Sequence, residues 1–262
     1  MSRGDILQEG VEIPGLEHLT YGEISERYTL TPHAEVHANS TPRFAQAFPY
    51  NHSQILEDLE PDVHPIGHME HTHSLTVDFL DNQVDNPFSI DSSAHIRIAA
   101  LLHDIGECTD PSIGLEIVGD VSFTKKVATD ETKEATMREY FFDNFFGDFS
   151  TETLERIEAI IKGKVDSPNR EPRAFAVIER IGYYLTAIRA GKVALQLHKP
   201  EAEVPIDDIR RNQLTRLAVE VTGRHRPVLQ QASEEFDGAG IILETNVEID
   251  SEIQERLEPL VN

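Results

Sequence analysis

The sequence has little positive charge and only one cysteine, and both shortages restrict the functions that the protein can have. Its 262 residues include 23 Lys and Arg against 47 Asp and Glu, which is a formal net charge of −24. This negative field opposes contacts with a phosphate backbone, so we expect no nucleic-acid partner. The single Cys108 allows no disulfide within the chain, which is typical of a reducing compartment.

Long apolar runs are also missing. No stretch of about 18 consecutive apolar residues occurs, so we expect no membrane span and no membrane partner. The first residues, Met1 to Asp5, begin no apolar segment of the kind that secretory signals carry, and we expect a cytoplasmic protein. Hydrophobic residues make up 39% and charged residues 27% of the chain, which is typical of a globular fold.

Apolar residues recur at helical spacing along most of the chain beyond residue 67. The pattern predicts helices over 67–84, from Ser92 or Ser93 to Gly106, Asp130 to Phe146, from Thr151, Pro172 to Ala190, Ile206 to Val221 and again from Pro227. Strand signals are confined to 240–244 and 247–249, which we interpret as a short hairpin. We therefore predict a mainly α domain over 51–235, with an irregular extension at 1–50 and a second at 236–262 that carries the hairpin and a helix.

A histidine and an aspartate stand side by side where an apolar helix is predicted to end. His103 and Asp104 follow Leu102 and precede Gly106. Adjacent helical residues point about 100° apart, so both side chains can bind one ion only near a helix end. A carboxylate at a helix C-terminus is unfavourable by about 0.3–1 kcal/mol, and a bound cation would reverse that cost. The alternative is a capping histidine beside a solvated aspartate.

The run from Ala99 to Glu107 resembles the HD-domain metal-dependent phosphohydrolases, which carry a His … His-Asp … Asp pattern on an all-helical fold. The resemblance implies an all-α HD-domain bundle and one divalent metal ion, for which Mn, Co, Fe, Ni, Zn and Mg are all suitable. It also implies that His103 and Asp104 are metal ligands.

Two histidines compete for the first ligand position of that pattern. His73 begins a His-Ser-x-x-Val run that is similar to the one in the family, whereas His71 lies in a second family-like context. His73 shares a predicted apolar stripe with Met69, Val77, Leu80 and Val84. His71 lies about 200° away around the helix, so we favour His73 as the ligand.

The last ligand of the family is an aspartate on a late helix, and this sequence has Glu179 at the corresponding place. Glu179 is interpreted either as a substitute ligand or as a sign of lost activity. An ordinary ion pair with Arg173 or Arg180 is the alternative. Asp166 is a less suitable ligand, because its surroundings are typical of a loop.

Within the family, the small 5′-deoxynucleotidases resemble this sequence most. They carry a His-Asp-x-x-Glu pattern, which Glu107 completes, and a later Gly-Asp pair, to which Gly119 and Asp120 correspond. The resemblance implies a phosphomonoesterase for nucleoside 5′-monophosphates or similar small phosphate esters, with Glu107 and Asp120 as catalytic residues. Its partners would be a small phosphorylated substrate and, in a homodimer, a second copy. The alternative is an HD protein with altered catalysis that binds a nucleotide or metal as a regulator.

Overall fold

The computed structural model describes residues 68–84, 88–103, 115–116, 125–126, 150–199 and 208–261. Their helices are α1 (His68–Asp81), α2 (Ile90–Leu102), α3 (Thr151–Ile161), α4 (Arg170–Leu197), α5 (Asp208–Ala232) and α6 (Asp237–Glu252). Two short strands, β1 (Leu115–Glu116) and β2 (Lys125–Lys126), pair antiparallel with Leu115 opposite Lys126. After α6 the chain forms a π-helical turn (Ile253–Leu257) and a 3-10 turn (Glu258–Leu260). The fold is all-α, as predicted.

Serine residues are the N-caps of α2 and α3. Ser89 Oγ accepts a hydrogen bond from the Ser92 backbone N–H at 3.0 Å, and Ser150 Oγ accepts one from Thr153 N–H at 3.1 Å. These oxygens satisfy first-turn N–H groups that no helical carbonyl reaches. Both caps lie upstream of the predicted ones, Ser92 or Ser93 and Thr151, because more than one hydroxyl is available at each helix start. The predicted stop of α2, Gly106, lies outside the described residues.

Helix α4 is the centre of the bundle and packs against each of the other five helices. The apolar stripe expected from its sequence consists of Phe175, Ile178, Ile181, Leu185 and Ile188. All of these are buried except Leu185, which is partly buried. The helix extends beyond both predicted ends, since it begins before Pro172 and continues past Ala190. Pro172 is tolerated in the first turn because the N–H that it lacks would have no helical acceptor there.

Helix α5 continues through Pro227, so the predicted break at this proline is wrong. Pro227 lacks the N–H that would bond to the Gly223 carbonyl, but both residues are exposed and water can reach that oxygen. Leu217, which precedes the proline, and Leu229, which follows it, are both buried in the core. Packing on both sides of Pro227 therefore keeps the helix continuous.

The hairpin predicted over 240–249 is also wrong, because this segment lies inside α6. Gly238 lets the start of α6 approach α1, since a Cβ atom there would come within 2.8 Å of the Phe79 ring. Near its end, the buried Asp250 accepts a hydrogen bond from the Tyr184 hydroxyl of α4 at 2.9 Å. These contacts override the strand preference of the Ile and Val residues in 241–249.

Some predictions fall where the structure describes nothing. The irregular extension at 1–50 and the helix from Asp130 to Phe146 lie outside the described residues. The domain boundaries at 51 and 235 stay a prediction. Of the helices that the structure describes, none is long and apolar enough to cross a membrane.

Candidate functional site

His103 caps the C-terminus of α2 and is 7% exposed. Its Nδ1 lies 2.9 Å from the Ala100 carbonyl oxygen. Because a carbonyl oxygen can only accept, Nδ1 carries the hydrogen, and the lone pair of the neutral ring is on Nε2. Histidines that bind metal ions are usually oriented in this way, with the second nitrogen donating to a backbone carbonyl. The local hydrogen bond therefore sets the tautomer that a metal ion requires.

The His103 ring packs edge-on against Phe175 of α4, with the ring centroids 5.8 Å apart. Phe175 is fully buried. Glu179 follows Phe175 by four residues, so both lie on one face of α4, about one turn apart. The ring contact therefore places His103 one helical turn from the sequence position of Glu179.

Glu179 lies on α4 between two groups of neighbours. On one flank, a Cβ atom on Gly182 would lie 3.5 Å from Leu75 Cδ1, so α1 approaches here. On the other flank, the Tyr183 ring stacks on the His225 ring of α5, with centroids 5.4 Å apart. Gly182 and Tyr183 lie about 60° and about 40° from Glu179 around the helix, in opposite directions. Glu179 therefore faces the space between α1 and α5.

The buried face of α1 differs from the predicted stripe. Thr72 and Thr76 are buried, whereas His73 and Val77 of the predicted stripe are only partly buried. Val84, which the pattern also placed in the core, lies beyond the end of α1 and is 83% exposed. The Thr76 hydroxyl donates to the Thr72 carbonyl at 2.8 Å, so a polar group is satisfied in the core. A prediction from hydrophobicity alone therefore placed the buried face of α1 on the wrong side of Thr72 and Thr76.

His73 lies at the edge of this face and is half-buried. Around α1 it is within about 20° of the buried Leu80 and about 80° from Asp81. The Asp81 carboxylate lies 3.5 Å from the Arg97 guanidinium of α2. The side of α1 that carries Asp81 therefore faces α2. The side chain of His71 lies outside the described part, and the choice of His73 over His71 stays a prediction.

The described residues do not form a complete metal site by themselves. Among them, no three His, Cys, Asp or Glu side chains are grouped so that they could hold a metal ion. His73, His103 and Glu179 belong to the described part, whereas Asp104, Glu107 and Asp120 lie outside it. The chemistry of the donors still fits a divalent cation, because imidazole and carboxylate groups together suit such ions.

The alternative roles weighed for Glu179 and Asp166 can be compared with the structure. Arg173 forms its ion pair with Glu235, at 2.6 Å. Within the described ranges, no ion pair joins Glu179 to Arg173 or Arg180. Asp166 is exposed in the turn between α3 and α4, as the sequence indicated. An ion pair with Arg173 or Arg180 therefore does not account for Glu179.

An ionic network holds the start of α2 against α3 and α4. Arg156 lies 2.6 Å from Asp91 and 2.6 Å from Glu171. Burial by itself would raise the pKa of Glu171, but the hydrogen bonds from Arg156 and Ser92 outweigh it and hold the pKa below its usual value. The network anchors the N-terminus of α2, and thereby the direction in which α2 carries His103.

Sequence reasoning missed the polar residues that α5 contributes near Glu179. His225 and Arg224 belong to no motif, and only the fold shows that the His225 ring stacks on Tyr183 of α4. The available signal was a lone histidine on a helix, which does not distinguish a core residue from a binding residue.

Comparisons with known proteins identify the family. The HD domain model matches residues 63–206, more than half of the chain. The match includes every position that was proposed as a ligand or catalytic residue. A search of curated proteins and a search of solved structures each found no match. The chain therefore belongs to the HD-domain family, whose members are in general metal-dependent phosphohydrolases.

Proposed function

We propose that this protein is a metal-dependent phosphomonoesterase acting on nucleoside 5′-monophosphates or similar small phosphate esters. The observation that carries the proposal is the position of His103. It is buried, oriented by the Ala100 carbonyl, and packed on α4 one turn from Glu179. Family membership supports the reaction class, which is metal-dependent hydrolysis of a phosphate ester.

The residues that would hold one divalent cation are His73, His103, Asp104 and Glu179. His103 would bind through Nε2, because Nδ1 donates to the Ala100 carbonyl. When bound, the cation supplies a water of lowered pKa and polarises the phosphate. The four side chains would set the position of the cation, and with it the positions of the water and the phosphate.

Glu107 would act as the general base or acid of the reaction. It follows Asp104 by three residues in the sequence. Its carboxylate would take a proton from the attacking water or give one to the leaving sugar oxygen. Asp120 would bind sugar hydroxyls or assist this proton transfer. Both roles rest on the resemblance to the 5′-deoxynucleotidases.

Glu179 departs from the aspartate of the family pattern by one methylene group. That group extends the side chain by more than about 1 Å. Helix α4 cannot easily shift to compensate, because Phe175 and Ile178, which precede Glu179 in the same stretch of helix, are fully buried. The extra length therefore has to be accommodated by the conformation of the Glu179 side chain or by the positions of the other proposed ligands, His73, His103 and Asp104.

The test combines metal analysis with an assay of phosphate release. The purified chain is analysed for bound metal and then given nucleoside 5′-monophosphates and generic phosphoesters with added Mn, Co, Mg or Zn. We expect metal-dependent release from 5′-monophosphates. H103A and D104A should each lose both metal content and turnover, and metal retained in both variants would contradict the proposal.

His95 offers a matched control on the same helix. Like His103 it is buried, and its Nδ1 lies 2.7 Å from the Asp91 carbonyl oxygen. We expect H95A to lose stability but to keep its metal. Metal bound without any phosphate release would instead favour the regulatory binding protein. If E179D alone then gained activity, the present site would be a decayed enzyme.

A further inference from the structure

A buried histidine on α5 lacks a partner for one of its ring nitrogens. His225 is 6% exposed, and its Nδ1 is buried with no hydrogen-bond partner in the part of the chain that the structure describes. Buried polar groups in folded proteins are nearly always hydrogen-bonded, because an unmade bond is costly. An orphaned ring nitrogen therefore indicates a site at which something else supplies the partner.

The position of His225 relative to the proposed centre follows from its ring contact. Tyr183 stacks on it with an interplanar angle of 15°. Tyr183 follows Glu179 by four residues on α4, so the two share a face of that helix. His225 therefore lies across one aromatic ring from the turn of α4 that carries Glu179.

Two arginines lie near this histidine. Arg224 precedes it on α5, and Arg180 precedes the stacked Tyr183 by three residues on α4. Arg180 and Arg224 both act electrostatically on His225. Within the described residues neither arginine forms an ion pair, whereas the nearby Arg226 binds Asp250 at 2.6 Å and Arg216 pairs with Glu220. In a chain with 47 acidic and 23 basic residues, two arginines that have no ion-pair partner in the described part of the chain, close to one buried histidine, form a local positive site.

The protonation state of the histidine suits a hydrogen bond to an anion. Burial and the two arginines lower the pKa of His225 to about 4. The ring is therefore neutral near pH 7 and carries one N–H, which it can donate.

We propose that Arg180, Arg224 and His225 form an anion-binding site that holds a phosphate group of the substrate. This inference rests on the proposed function and assigns the recognition of the phosphate to α4 and α5. Guanidinium groups match phosphate oxygens as planar forks, and a phosphate oxygen supplies the acceptor that the histidine lacks. His225 and Arg224 lie beyond the segment that the family model matches.

The direct test uses inorganic phosphate and the full chain. Protein labelled with ¹⁵N-histidine is titrated with phosphate, and the His225 ring resonances are assigned by their loss in H225Q. We expect these resonances to shift in a saturable way. R180Q and R224Q should each weaken phosphate binding about tenfold. The matched control is R216Q on the exposed side of α5, whose binding should equal that of the native protein.

Native affinity in both R180Q and R224Q would overturn the proposal, and so would a titration that leaves the His225 resonances unmoved. Equal weakening in R216Q would also overturn it, because a general loss of positive charge would then explain the effect. Thermal unfolding of each variant shows that the fold is retained.

Enzyme kinetics separate this inference from the proposed function. In R180Q and R224Q we expect unchanged metal content and a KM raised about tenfold, with kcat affected less. If the native protein hydrolyses no ester but the variants still lose phosphate binding, the proposed function fails and the anion site stands. If metal-dependent hydrolysis occurs and the variants keep native KM and phosphate affinity, the anion site alone is refuted.

Discussion

The imidazole of His103 meets the ring of Phe175 edge-on, with centroids 5.8 Å apart and an interplanar angle of 64°. A second contact, from Nδ1 to the Ala100 carbonyl, holds the same ring from its own helix. The orientation of His103 therefore depends both on the end of α2 and on how α2 packs against α4. Such double support is what a metal ligand needs if its lone pair is to point in one direction.

Replacing Phe175 should affect both stability and the proposed ligand. F175L removes the ring edge from His103, and we expect the free energy of unfolding to fall by about 1–3 kcal/mol. Metal affinity should fall several-fold, because the His103 ring gains freedom. Urea denaturation and metal titration measure the two effects. The control is F88L, since Phe88 is also buried but stacks on Phe236 instead. Equal loss of metal affinity in F88L would contradict a positioning role for Phe175.

The buried carboxylate of Asp250 should dominate the contacts between α6 and the rest of the bundle. It accepts two hydrogen bonds from Arg226, at 2.6 and 2.7 Å, and one from the Tyr184 hydroxyl. D250N leaves the Arg226 charge without its counter-ion, at an expected cost of about 3–5 kcal/mol in unfolding free energy. Y184F removes one hydrogen bond and should cost about 1 kcal/mol.

Urea denaturation of both variants checks that D250N lowers the free energy of unfolding more than Y184F does. The control is E252Q, which breaks an exposed pair with Arg256 and should cost less than about 1 kcal/mol. A D250N variant as stable as E252Q would show that the Asp250 network contributes little.

The lowered pKa of His225 predicts a dependence of stability on pH. Its folded pKa is about 4, and its unfolded pKa is about 6.5. Between these values the unfolded chain binds a proton that the folded chain does not. The contribution of His225 to the free energy of unfolding therefore falls as the pH drops from about 6.5 toward 4. Above this window the contribution is fully present. The groups that act on His225 there are Arg180 and Arg224, both of which stay charged.

The H225Q variant should lack this pH-dependent contribution to the free energy of unfolding. Unfolding free energies of the native protein and H225Q are compared at several pH values between 7.5 and 4.5. We expect the native protein to lose stability more steeply with acidification. Parallel curves would mean that His225 titrates alike in the folded and unfolded states.

Gly191 should be intolerant of a side chain because of the π-helical turn. A Cβ atom at Gly191 would overlap the Ile253 side chain. We expect G191A to lower the free energy of unfolding by about 1–3 kcal/mol, since the core must move to make room. I253A should cost less in the G191A background than in the native protein, because the added methyl group fills part of the space that I253A vacates. The control is G223A on α5, where a Cβ atom meets nothing within 4 Å. That change should be neutral or stabilising by up to about 1 kcal/mol. A stable G191A would contradict the close contact.

Local patterns predicted some features of the molecule and misjudged others. The period of the apolar residues predicted the helical class and the inward stripe of α4 from Phe175 to Ile188, of which all but the partly buried Leu185 are buried. The break at Pro227 and the hairpin over 240–249 were wrong because tertiary packing outweighs the preference of one proline or a few β-branched residues. The face of α1 was misjudged for a related reason, since Thr76 is satisfied by its own helix and can be buried.

By itself, the sequence determined that the protein is acidic, helical and marked by the His103-Asp104 pair of the HD family. Charge, helical period and motif are properties of residue types at short spacing, so no fold is needed to detect them. Only the tertiary structure decided which distant side chains meet. It brought His103 against Phe175 and stacked Tyr183 on His225, because helix packing joins residues whose separation along the chain has no period.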